Sequence, residues 1–90
     1  MNKLPIIDIN DSDIIALYKI IGANVKKARL AKGITQLDLA LALGYKSVSS
    51  IAKAESLIES KHFNIAQLYK ISKALDIDLG TLFTTDKNVF

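Results

Sequence analysis

Ile34-Thr35-Gln36-Leu37-Asp38-Leu39-Ala40-Leu41-Ala42-Leu43-Gly44-Tyr45-Lys46-Ser47-Val48-Ser49-Ser50-Ile51-Ala52-Lys53-Ala54-Glu55, residues 34–55, reads as two short helices around a tight turn. Thr35 is a suitable N-cap, because its side-chain oxygen can accept from a free N–H of the first turn. Leu39, Ala40 and Leu43 then share one side of the first helix, and Gly44 follows where a left-handed C-terminal residue is wanted. Ser47 is the expected cap of the second helix. With Ile51 at the centre of the buried face, Ala54, Glu55, Val48 and Ser47 fall near it at about 100° per residue, and Ser49, Lys53 and Ser56 point the other way. That outward face carries short polar groups and one cation.

Working outward, Met1–Asn10 is a short arm with Pro5 and the alternating Ile7 and Ile9, too brief to hold structure alone. Asp11-Ser12-Asp13 supplies a cap and favourable charge for a helix start. Ile14, Leu17, Tyr18, Ile21, Val25, Ala28 and Ala31 continue as a helical stripe to Lys32-Gly33, and Ile15 and Ile20 add more apolar surface than one stripe requires. Beyond the central pair, Asn64 is the expected cap of a fourth helix bearing Ile65, Leu68, Ile71, Ser72 and Leu75. Asp78 opens a short fifth with Leu79, Leu82 and Phe83. The expectation is an all-α, compact five-helix domain with an extended first helix: arm 1–13, domain 14–83, tail 84–90.

Ninety residues suffice for one small core. No cysteine is present, so neither a disulfide framework nor a thiolate metal site is available, and nothing opposes a reducing cytoplasm. No leader-like segment and no apolar run of membrane-spanning length occurs in these 90 residues. Net charge is only +3, but residues 14–83 hold ten Lys or Arg against five Asp or Glu, a balance of +5 suited to meeting phosphates. A solvated basic face is the other reading of that balance. An enzyme is not expected: the lone histidine, His62, lacks an obvious carboxylate partner, no Gly-rich phosphate loop occurs, and the acidic residues show no metal-ligand rhythm. Neither a cofactor nor a metal is called for.

Gly22, Val25, Arg29, Gly33, Thr35, Gln36, Leu39, Ala40, Leu43, Gly44, Ile51, Lys53 and Glu55, resuming in residues 71–77 and at Leu82-Phe83, make a longer ordered string. It resembles the lambda-repressor-like helix-turn-helix family of the Cro/C1 type over roughly residues 20–83, with a longer loop at 56–64. The resemblance implies a small repressor-type regulator that binds double-stranded DNA, with a recognition helix at about 48–55 in the major groove, where all base pairs are distinguishable.

Within that reading Ser49, Ser50 and Lys53 are the candidates for base edges, an ammonium donating to guanine and hydroxyls donating or accepting; an exposed polar helix face is the alternative. Val48 is expected to pack. The family position of Gln36, at a helix start, implies a phosphate contact. Lys46 in the turn, and Lys61, His62 and Asn64 before the fourth helix, are further candidates for the DNA backbone. The resemblance makes Arg29 and Glu55 a structural ion pair. One short recognition helix reads few base pairs, which favours a homodimer. By resemblance its interface lies at the fourth and fifth helices, with the extended first helix as second choice. The competing reading is a protein-interaction module, such as an antitoxin gripping a toxin through Leu57, Ile58, Phe63 or the apolar N-terminal region.

Overall fold

A computed structural model describes residues 3–84. Four α-helices succeed one another, α1 Asp11–Ala31, α2 Gln36–Ala42, α3 Ser49–Ser56 and α4 Ile65–Leu75, with 3-10 turns at Ile58–Ser60 and Leu79–Phe83. The all-α architecture is as expected, but the fifth helix is a 3-10 turn. Its five residues are too few for a run of α-helical bonds, and Thr81 instead donates to the Asp78 carbonyl through its N–H at 3.1 Å and its hydroxyl at 2.7 Å. The expected tail lies, from residue 85 on, outside the described residues.

Three helix starts are closed by reciprocal side-chain caps. At α2 the Asp38 N–H donates to Thr35 Oγ1 and the Thr35 N–H to Asp38 Oδ2, each at 3.0 Å. Asn64 and Gln67 do the same for α4, Asn10 and Asp13 for α1. The cap of α1 thus sits one residue ahead of Asp11-Ser12-Asp13, which form its first turn, so the helix begins inside the segment assigned to the arm. No side chain caps α3. Val48 is already in right-handed helical conformation, and Ser47 Oγ accepts from the Ser49 N–H only at 3.4 Å, so Ser47 is not the cap the sequence suggested. Gly44, at φ 84°, ends α2 in the left-handed conformation and lets the Tyr45 N–H reach back to the Ala40 carbonyl at 2.9 Å.

The core is built from Ile21 and Val25 of α1, Leu39 and Ala40 of α2, Ile51 and Ala54 of α3, Phe63, and Leu68, Ile71 and Leu75 of α4, closed below by Leu82. Two devices fix α1 in this packing. A Cβ on Gly22 would stand 2.6 Å from the Glu55 carbonyl oxygen, so the absence of a side chain there lets α1 meet the end of α3. Asn24 Nδ2 donates to the Leu82 and Thr84 carbonyls at 3.0 and 2.6 Å, tying α1 to the last 3-10 turn. Val48 and Ile65, expected to pack, are exposed, and so are Ile14 and Ile15 of the apolar surplus on α1, because each lies in the first turns of a helix or just before one, beyond the reach of the core. Among the described residues no helix is long and apolar enough to cross a membrane.

Candidate nucleic-acid interface

Helix α3 turns Ile51, Ala54 and Glu55 inward, which leaves Ser49 and Ser50 exposed and Lys53 half-exposed on its outer side. These three residues line one depression of about 240 Å³ together with Lys61, His62 and Gln67. The residues read from the sequence as candidates for base edges therefore meet two of the backbone candidates, Lys61 and His62, on a single concave surface between α3 and the start of α4. Lys46 is exposed in the turn between α2 and α3.

The ammonium of Lys53 is not free. Its Nζ donates to Glu59 Oε2 at 2.9 Å, and that hydrogen bond, with the attraction between the two charges, holds the Glu59 carboxyl below the usual carboxylate range. Glu59 was not apparent as a site residue in the sequence. Six positions separate the two, a spacing that no helix brings face to face. They meet because Leu57 leaves α3 in the left-handed conformation, at φ 54°, and Glu59 and Ser60 repeat it at 56° and 60°, curling the longer loop back toward α3.

Arg29 and Glu55 form a two-pronged pair, Nε to Oε2 at 2.8 Å and Nη2 to Oε1 at 3.0 Å, with side chains only 6% and 1% exposed. Arg29 Nη1 also donates to the Ile34 carbonyl at 2.9 Å, and Gln36 Nε2 to Glu55 Oε1 at 3.0 Å. The network joins α1, the segment before α2, α2 and α3. The Gln36 amide nitrogen is consequently turned inward to a carboxylate, and the anion nearest the start of α2 is Asp38 in the cap. Asn64 Oδ1 likewise accepts from the Gln67 N–H at 2.7 Å as the α4 cap, while Gln67 Nε2 donates to the Tyr45 hydroxyl at 3.0 Å, fastening the turn to α4. The His62 ring lies flat on Tyr18, 3.8 Å between centroids. Among the described residues no group of His, Cys, Asp and Glu is placed to hold a metal ion.

Two helices across a tight turn, the second held by a buried ion pair with its polar side outward, form the unit that a family model described as Helix-turn-helix matches over residues 25–82. The chain belongs to the Cro/C1-type helix-turn-helix family. The helix-turn-helix match opens at Val25 within α1 and closes at Leu82, so the early turns of α1 and the segment before them lie outside it. No curated protein and no solved structure gives a significant match to the chain. Membership of the Cro/C1 type points to a DNA-binding regulator.

Proposed function

We propose that the chain binds double-stranded DNA sequence-specifically as a repressor-type regulator in the cytoplasm, with α3 in the major groove and two copies on a pseudo-palindromic site. The observation that carries this reading is the shared concavity of Ser49, Ser50, Lys53 and Lys61 on the outer side of α3, within a Cro/C1-type domain. A helix of this kind positions base-reading groups, while flanking cations and backbone amides meet phosphates. Lys46 and Lys61 are assigned to phosphates, Ser49, Ser50 and Lys53 to base edges. Gln36 and Asn64 act on the backbone chiefly by holding the starts of α2 and α4 in place.

Selection of bound duplexes from a random pool tests this. A shared motif is expected, and affinity for it should fall with salt, each phosphate contact adding about −0.9 to the logarithmic slope. A pool left without enrichment refutes specific readout. It would favour the second reading, a protein partner such as a toxin, which is supported by a groove of about 610 Å³ lined by Ile14, Ile15, Tyr18 and Leu57, beside exposed apolar residues at 4–9.

A further inference from the structure

We infer that Lys53 and Glu59 together form a subsite for one C·G base pair, Lys53 donating to guanine and Glu59 accepting from the cytosine N4 amine. The inference rests on the DNA-binding reading and adds to it a recognition residue outside the recognition helix. Its starting point is a donor and an acceptor held 2.9 Å apart beside the depression on the outer side of α3. In the major groove a C·G pair presents the complementary arrangement, two neighbouring acceptors on guanine, N7 and O6, next to the cytosine N4 donor. The O6 and N4 atoms are hydrogen-bonded to each other, and each keeps one further valence directed into the groove. A lysine on O6 and a glutamate on N4 would use both while staying side by side.

The alternatives fit less well. In an A·T pair the single amine lies between two acceptors, adenine N7 and thymine O4, against one beside the cytosine amine, so a carboxylate placed there meets more repulsion, and a lysine on O4 would be crowded by the thymine methyl. Toward phosphates Glu59 contributes only repulsion. Its presence at this surface therefore penalises every site that does not offer an amine at the right place. Local backbone preference does not favour its position: beyond the α3 C-cap Leu57, Glu59 and Ser60 also adopt left-handed backbone, which is unfavourable for L-residues, and an exposed ion pair returns little stability.

The test uses the full chain and the duplex that it selects. Wild type should prefer C·G at one position in each half-site by roughly 5- to 150-fold over other pairs. Glu59→Ala should keep the rest of the motif and lose that one preference. Cytosine carrying an N4-methyl at that position, which replaces the hydrogen Glu59 would accept, should weaken wild type by a similar factor and leave Glu59→Ala unchanged. The methylated duplex probes the unaltered protein, so a folding defect in the variant does not decide the result. If Glu59→Ala binds all sequences more tightly by one common factor, with its motif intact and the N4-methyl without effect on wild type, Glu59 is a repulsive charge and the inference fails while DNA recognition stands. A wild-type chain that enriches no motif overturns the DNA-binding reading and the inference with it.

Discussion

Arg29 shows how much one residue can hold: its guanidinium uses both ends of a fork on Glu55 and a third nitrogen on the Ile34 carbonyl. Removing one partner of a buried pair leaves the other charge without compensation, which costs about 3–5 kcal/mol, whereas replacing both by apolar groups is often close to neutral. Arg29→Met should therefore lower unfolding stability by about that amount, and Arg29→Met combined with Glu55→Leu should recover part of it. Recovery will be incomplete because Ile34 and Gln36 also lose partners. Additive losses in urea unfolding would contradict a coupled network. This pair was legible through the family pattern, as was the outward side of α3 through helical periodicity. What periodicity could not convey is which polar groups are already engaged. Gln36 looks like a free polar residue at a helix start, yet it donates to Glu55, while Asn64 caps α4 as its position implied. Glu59 was invisible because its meeting with Lys53 depends on left-handed backbone at residues whose types do not announce it.

At the level of elements, the side-chain caps of α2 and α4 were readable to the residue and that of α1 to within one, whereas the cap expected for α3 is absent, no side chain closing that helix. The acidic partner in the α2 cap makes this testable by pH. Asp38 accepts from the Thr35 backbone N–H and shares the cap with the Thr35 hydroxyl, interactions that favour the carboxylate and lower its pKa. A depressed folded pKa adds stability above the unfolded value, about 3.9, and that stability disappears as pH falls through the folded value. Asp38→Ala should thus melt below wild type at pH 7, with the difference shrinking in the acid range below about pH 4. A gap that persists unchanged at pH 2 would mean that the carboxylate charge is not the agent. The packing of α1 on α3 gives a second test. Alanine is a better helix former than glycine by about 1 kcal/mol, but a Cβ at residue 22 would be 2.6 Å from a backbone oxygen that cannot move aside cheaply. Gly22→Ala should be destabilising by about 1–3 kcal/mol in spite of propensity. Gly80→Ala, where a Cβ meets nothing within 4 Å, serves as the control and should change stability little. If the two variants melt alike, the close approach of α1 and α3 is not a constraint. The family pattern singled out Gly22 and not Gly80, but it could not give the reason, since the clash belongs to a neighbouring helix.

For the whole molecule, the question is where exposed apolar surface is left after the core has closed. Leu82 is buried and Leu79 and Phe83 are half-buried, so within the region of the fourth and fifth helices that the family resemblance favoured, the last 3-10 turn is largely spent on its own chain, while Ile65 and Tyr69 of α4 stay exposed. Leu30, Leu37, Leu41 and Ile58 are exposed too, but the densest run lies near the N-terminus. Leu4, Ile6, Ile7 and Ile9 are exposed, Ile6 at 92%, and so are Ile14 and Ile15 of α1. Exposed apolar residues concentrated in one stretch of chain mark an association site more often than a solvated one. One recognition helix reads too few base pairs to specify a site, and a twofold pair doubles the readout, with recognition helices about 34 Å apart on one side of the duplex. A homodimer formed through residues 4–15 would meet both needs, and we propose it. Sedimentation equilibrium at micromolar concentration should therefore report a dimer. Ile14→Ser with Ile15→Ser, at exposed positions, should shift it to monomer while its circular dichroism and melting temperature stay near those of wild type. The same variant should lose affinity for the full palindrome much more than for an isolated half-site, because only the coupling between copies is removed. A wild-type monomer that binds one-to-one on an asymmetric site would refute the dimer, and a double-serine variant that remains dimeric would place the interface elsewhere.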